Sequence, residues 1–241
     1  MRIKKLISWI NEPLDKYLGL RVQPSSEKRL TSVRNEVLTK FGIKSVIDVG
    51  ANSGQYATKI RKSGFQGEID SFEPTSIFNT LKKNAAKDGF WNVHNLGLSD
   101  SAGEATMNIS SNSGLSSSLL NPKEILDQGF GIAFNKTEKV SLATLDSFLA
   151  EQNINNGYLK IDAQGAEMKV LLGADKELSR ITAIEFESAL VDLYQGETHH
   201  YEIANWLISR GFSAVQVAPT HWTASGKTIS LDAIFIRKGN S

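Results

Sequence analysis

The chain contains no cysteine. That absence excludes a disulfide framework, thiolate metal sites and a catalytic thiol. Its four histidines leave little material for a His-rich metal centre, and no metal is expected. No apolar run reaches the ~20 residues that a membrane-spanning helix needs. "MRIKKLISWINEPL" starts basic, but its apolar run breaks at Asn11–Glu12–Pro13, too early for the core of a secretion signal. A soluble, cytoplasmic protein is the expectation. Two nucleotide motifs are missing as well. Gly50 and Gly54 are spaced G-x-x-x-G rather than G-x-G-x-x-G, and no Lys-Ser/Thr pair follows them. The dinucleotide fingerprint and the phosphate-cradling P-loop therefore both fail.

What remains suits one large α/β domain. The 241 residues are 40% hydrophobic and 22% charged, enough for a full core. The formal net charge of +1 is unevenly placed, because residues 1–45 carry ten Lys/Arg against four Asp/Glu. This basic head reads first as a solvated helix face and second as a surface for an anionic partner. Within it, Ile3, Leu6, Ile7 and Ile10 repeat at helical spacing. Such a short amphipathic helix packs on the domain, on a second copy of the chain or on a membrane surface. No nucleic-acid partner is expected. The division predicted is a helical segment over 1–42 and the main domain over 43–241.

From Lys44 onward strands and helices alternate. "SVIDV", "GEIDSFE" and "WNVHNLGLS" read as strands, with helices over 54–62 and 76–87 between them. A helix over 27–40, with Ser26 as its cap, precedes the first strand. This alternation predicts a parallel sheet with helices on both faces. "GEATMNIS" and "TEKVSLA" are strands around a loop rich in Ser and Gly. Thr144 caps a short helix, "GYLKID" and "ITAIEFES" are the next core strands, and "AEMKVLLGA" is a helix between them. A helix ending at Gly211 leads to "FSAVQVA" and "SLDAIFIRK", a closing antiparallel pair.

Open α/β sheets bind ligands at the carboxyl ends of their strands. Three such ends carry acids. The first is Asp48-Val49-Gly50-Ala51-Asn52-Ser53-Gly54-Gln55, where the glycines allow a tight turn into a helix. The free N–H groups of that helix start favour a carboxylate or phosphate. The second is Glu73, fixed in direction by Pro74. A carboxylate there accepts from both hydroxyls of an unphosphorylated ribose. The third is Asp162, ahead of the turn Gln164–Gly165 and of Glu167, where the reacting end of a ligand belongs.

"VIDVGANSGQYA", "FEPTS", "LSDSAGEATM", "LKIDAQGAEMKVLLGA", "LYQGETHH" and "LDAIFIR" occur in this order and together resemble the FkbM-type methyltransferases. These are class I S-adenosylmethionine-dependent enzymes. The resemblance runs from about Ile43 to Lys238, and "LKIDAQGAE…LLGA" is its most specific piece. It implies a Rossmann-like, seven-stranded, mostly parallel sheet whose last strand is antiparallel. It also implies S-adenosylmethionine as cofactor, its methionine end at the Gly50–Gly54 loop, its ribose at Glu73 and its adenine near Gly97-Leu98-Ser99. Asp100 is either an adenine contact or a turn residue.

The activity implied is O-methylation of a hydroxyl, on a sugar, a glycan or a secondary metabolite. Such an enzyme must align the acceptor and remove a proton. Asp162, Glu187, His199 and His200 are the candidate bases, and Glu187 and Tyr194 match the family pattern. The His pair is also readable as solvated, and Asp232 as a supporting carboxylate. The Ser-rich loop over 110–121 either covers the acceptor or is an open excursion. A nicotinamide-dependent oxidoreductase and a non-catalytic cofactor-binding module remain as alternatives.

Overall fold

The buried apolar runs assemble side by side in the computed structural model, which describes residues 26–223 and 225–239. Four parallel strands carry them: β1 (Ser45–Val49), β2 (Glu68–Phe72), β3 (Trp91–His94) and, much later in the chain, β7 (Gly157–Ile161). β4 (Gly97–Leu98), β5 (Gly103–Ile109) and β6 (Lys136–Ala143) form a separate three-stranded sheet. β8 (Ile181–Ala189) extends the parallel set, while β10 (Thr228–Arg237) runs antiparallel to it and to β9 (Phe212–Trp222). The order is β3-β2-β1-β7-β8-β10-β9. Strand order reverses between β1 and β7, which opens a crevice at their carboxyl ends.

Both faces of the sheet are covered. On one, α1 (Ser26–Lys40), α2 (Gln55–Lys62) and α3 (Phe78–Ala85) bring Leu30, Ile60 and Leu81 against Val46, Ile69 and Tyr158. After the short α4 (Glu124–Phe130), the helices α5 (Leu145–Glu151), α6 (Glu167–Leu172) and α7 (His200–Ser209) cover the other face. They seat Leu145, Val170 and Leu207 on Ile47, Leu159 and Ile184. This is the Rossmann-like, mostly parallel seven-stranded fold that the sequence predicts. Thr144 caps α5, its Oγ1 accepting from the Ser147 amide at 3.1 Å. Among the described residues, no helix is long and apolar enough to cross a membrane.

Two details differ from expectation. The segment "WNVHNLGLS" does not stay in one sheet. It turns after His94, and Gly97 joins β6, where an added Cβ would stand 2.7 Å from Leu142 Cδ2. The polar stretch after β5 contains α4, anchored by buried Leu126. The closing antiparallel pair takes the sheet edge as expected, with β10 inside and β9 outermost. The amphipathic segment Ile3–Ile10 lies outside the described residues.

One buried ion pair fixes α1 to the sheet. Arg34 donates from Nε to Glu185 Oε2 at 2.7 Å and from Nη2 to Oε1 at 2.5 Å, with both side chains at most 2% exposed. The Tyr56 and Tyr158 hydroxyls also donate to Oε2, at 3.0 and 2.6 Å. Burial pushes the Glu185 carboxyl up, but Arg34 and Lys160 outweigh it and hold it below the usual range. Its contribution to stability is therefore present above the ordinary glutamate pKa and is lost as pH falls through the lowered value. Arg34→Met is expected to lower unfolding free energy by ~3–5 kcal/mol at pH 7, because it strands a buried carboxylate. Denaturant titration of both proteins checks this, and an unchanged midpoint contradicts it.

Candidate active site

The crevice between β1 and β7 begins with a row of polar groups in register. Ser71 on β2, Asp48 on β1, Lys160 on β7 and Glu185 on β8 stand directly beside one another. All four are buried. The Trp91 indole donates to Ser71 Oγ at 2.9 Å, and Ser71 donates to Asp48 Oδ2 at 3.0 Å. Burial pushes the Asp48 carboxyl up to about 6. Burial alone would depress the Lys160 ammonium, but Asp162, Glu185, Asp232 and Asp48 outweigh it and hold it above the ordinary lysine value. Lys160 Nζ lies 3.4 Å from Asp162 Oδ2 and 5.6 Å from the centre of the Tyr56 ring.

Two turns close over this row. Gly50 has φ +76°, and a Cβ there would lie 1.9 Å from the Asp162 carbonyl oxygen, so only glycine admits this approach. Gly50 and Ala51 both donate their amides to the Phe72 carbonyl, at 3.1 and 3.0 Å. Asn52 follows in the left-handed region, φ +47°. Its amide donates to Glu73 Oε2 at 2.9 Å. Glu73 Oε1 accepts from the Thr75 amide and hydroxyl, at 2.9 and 2.6 Å. The carboxylate of Glu73 therefore ties the β1 and β2 turns together and keeps one acceptor position, on Oε2, for a ligand.

At β7 the turn is built by Glu167. Its Oε1 accepts from the amides of Ala163 and Gly165, at 2.9 and 3.2 Å. Burial pushes its carboxyl up to about 8. Gln164, at φ +50°, donates from Nε2 to Asp162 Oδ1 at 2.6 Å.

The resulting cavity holds about 420 Å³, a volume suited to a nucleoside-sized ligand. Asp48, Gly50, Ala51, Asn52, Gln55, Glu73, Pro74, Gly97, Leu98 and Asp162 all line it. Gly54 and Ser99 do not line it. A Cβ on Gly54 would meet the Trp91 ring at 2.6 Å, so this glycine serves the packing of α2 on β3. Ser99 turns to Asp100, its Oγ donating to Oδ1 at 3.1 Å, and Asp100 lies 3.5 Å from the Lys169 ammonium. The chemistry of the lining divides in two. Pro74, Leu98, Met107 and Leu142 make one end apolar. Asp48, Glu73 and Asp162 make the rest acidic, with Lys160 held among them and Lys59 paired to Glu27 at 2.7 Å. Such a lining suits a ligand with cationic groups, hydroxyls and a flat ring, and it resists a polyphosphate.

The loop over 110–121 walls the cavity. The Asn52 amide side chain donates to the Ser113 carbonyl at 3.1 Å, and Ser118 Oγ donates to the Gln164 carbonyl at 2.7 Å. Tyr194 holds it from outside, its hydroxyl donating to the Ser116 carbonyl at 2.8 Å.

Glu187 sits on the same sheet face as Glu185, opposite Asp232. Its Oε1 lies 3.0 Å from His221 Nδ1 and accepts from Ser230 Oγ at 2.8 Å. Burial pushes the Asp232 carboxyl up to about 7. His199 is not brought to Asp162. Its Nε2 pairs with Asp192 Oδ1 at 2.6 Å, and the residue caps α7. His200 turns inward, Nδ1 at 2.8 Å from Ser188 Oγ, with its ring stacked on Phe186. Sequence reasoning missed Lys160, Tyr56 and His221. A lysine inside the otherwise apolar "YLKI" was the available signal for the first.

Residues 48–214 match the Methyltransferase FkbM domain family. Among curated proteins, "Methyltransferase sdnD" of Sordaria araneosa is 31% identical over 159 residues, 55% of this chain and 61% of that protein. "2-O-methyltransferase NoeI" of Sinorhizobium fredii is 24% identical over 160 residues, 63% of this chain and 66% of that protein. The chain thus covers less than two thirds of either relative. The solved structure of M. capricolum TrmK with S-adenosyl-homocysteine is 9% identical, covering 84% of this chain and 68% of that one, at a TM-score of 0.49. That likeness is too loose to bear on function. The family match spans well over half of the sequence and includes the turns at Gly50, Glu73 and Asp162: this chain belongs to the FkbM methyltransferase domain family.

Proposed function

We propose that the protein transfers a methyl group from S-adenosylmethionine to a hydroxyl of a small molecule, of the sugar, glycan or secondary-metabolite kind. The observation that carries this reading is the single cavity in which an apolar end, the Glu73 carboxylate and the Asp48–Lys160–Asp162 cluster follow one another. One relative's name, a 2-O-methyltransferase, supports oxygen as the accepting atom. Residues 43–241 form the methyltransferase domain in this reading, and 1–42 an N-terminal helical segment whose α1 docks on β9 and β10. The methyl donor is a metabolite of the cell interior, which supports a cytoplasmic location.

When bound, the cofactor supplies a methyl group already activated on a positive sulfur. The chain's own residues hold and orient. Asp48, Gly50, Ala51, Asn52 and Gln55 receive the amino-acid end. Glu73 accepts from one ribose hydroxyl, and Pro74, Gly97 and Leu98 bracket the ring. Asp162 keeps a carboxylate beside the cationic centre, with Lys160 and Gln164 fixing its two oxygens.

A thermal-shift assay separates this reading from a nicotinamide oxidoreductase. S-adenosylhomocysteine is expected to raise the melting temperature and NAD to leave it unchanged, since only a ligand of the folded state stabilises it. A shift with NAD alone contradicts the reading. Calorimetry tests the Glu73 contact. Glu73→Ala is expected to weaken S-adenosylhomocysteine binding by ~1–3 kcal/mol through one lost charge-assisted hydrogen bond, and equal affinity removes Glu73 from the site.

A further inference from the structure

A second cavity, of about 320 Å³, meets the first at Asp162 and Gln164. Leu126, Phe130, Ile132, Leu193 and Ile229 give it apolar walls. Phe130 is 38% exposed, a large apolar side chain left uncovered at its mouth. Glu187, His221 and Ser230 form its polar side. The loop over 110–121 stands between the two spaces, with Leu115 lining both.

The polar side fixes one histidine. His221 Nδ1 lies 3.0 Å from Glu187 Oε1 and 2.8 Å from Ser230 Oγ. Ser230 in turn donates to Glu187 at 2.8 Å, so Nδ1 carries the imidazole proton and Nε2 is the free acceptor. The imidazole is 64% exposed and so reachable. Glu187 from β8, Asp232 from β10 and Asp162 just past β7 are the charged groups that act on it. The hydrogen bond to Glu187 is the main cause that holds its pKa above 6.5, against the downward push of burial. His221 and Ser230 lie beyond the family-matched residues 48–214.

Resting on the methyltransferase reading above, we propose that this second cavity is the acceptor subsite: it takes a molecule whose hydroxyl neighbours an alkyl chain or ring, and His221, oriented by Glu187, receives the hydroxyl proton. The acceptor oxygen forms the new C–O bond as the S–CH3 bond breaks, and the electron pair stays on sulfur. The hydroxyl proton passes to His221 Nε2 and then to water. Glu187 is a positioning residue that acts through the imidazole. Proton removal requires neutral His221, so transfer fails as pH falls through its raised pKa. Removing the Glu187 charge moves that acidic limb to lower pH.

The test uses the full chain saturated with S-adenosylhomocysteine and isotope-labelled at histidine, with His221→Gln assigning the signal by NMR. His221 is expected to titrate above 6.5 in the parent protein and lower in Glu187→Gln. Octyl β-D-glucopyranoside, below its micelle concentration, is expected to shift the His221 Nε2 signal, while methyl β-D-glucopyranoside leaves it in place. Phe130→Ser is expected to weaken the octyl probe at least tenfold. An unaltered titration in Glu187→Gln, an unmoved signal with the octyl probe, or full affinity in Phe130→Ser overturns the inference. Each is read in protein whose melting temperature still rises with S-adenosylhomocysteine. Loss of that rise in the parent protein instead overturns the methyltransferase reading.

Discussion

The ammonium of Lys160, buried in the middle of a strand, is the interaction on which the rest of the site depends. Carboxylates from four strands converge on it: Asp48 from β1, Asp162 just past β7, Glu185 from β8 and Asp232 from β10. So many acids could not share a dry space without a cation among them. Lys160 lets Asp48 and Asp162 remain close together at the point where strand order reverses. It also links two problems that are usually separate. The same row that anchors α1 through Arg34 and Glu185 ends at the groups that line the cavity, so the anchor of α1 and the cavity share one chain of charges.

Around that row the turns are held by carboxylate side chains that grip backbone amides. Glu73 clamps the amides of Asn52 and Thr75, and Glu167 clamps those of Ala163 and Gly165. Glu73, which the sequence offers as a ligand contact, thus spends most of its acceptor positions on shaping the loops. This pre-organisation keeps the cavity open and its lining in place. The Ser-rich loop over 110–121 is anchored to these turns as well: Asn52 and Tyr194 donate to its carbonyls at Ser113 and Ser116, and its Ser118 hydroxyl donates to the Gln164 carbonyl.

How much of this is legible in the sequence depends on how local the pattern is. Strand, turn and helix around Gly50 are read within about fifteen residues, as is the Thr144 cap. The acids at the strand ends are placed by the same local logic. Gly54 shows its limit, since glycine spacing marks the turn but does not say that the glycine faces Trp91 instead of the ligand. Lys160 and Arg34 become meaningful only through register between strands distant in sequence. His221 is hidden for a related reason. β9 continues past Ala218 to Trp222, with register shifts against β10, and this sets His221 opposite Ser230 within reach of Glu187. The stretch reads as a hairpin connector, while the histidines at 199 and 200, which sit in a family-like motif, turn to Asp192 and Ser188.

The central claim is that the crevice above Asp48 and Lys160 receives S-adenosylmethionine with its reacting end at Asp162. A crystal structure of the chain with S-adenosylhomocysteine tests it most directly. The account predicts the ribose on Glu73, the adenine between Pro74 and Leu98, and the sulfur beside Asp162 at the opening to the second cavity. A ligand bound elsewhere, or reversed so that its adenine lies at Asp162, would contradict it.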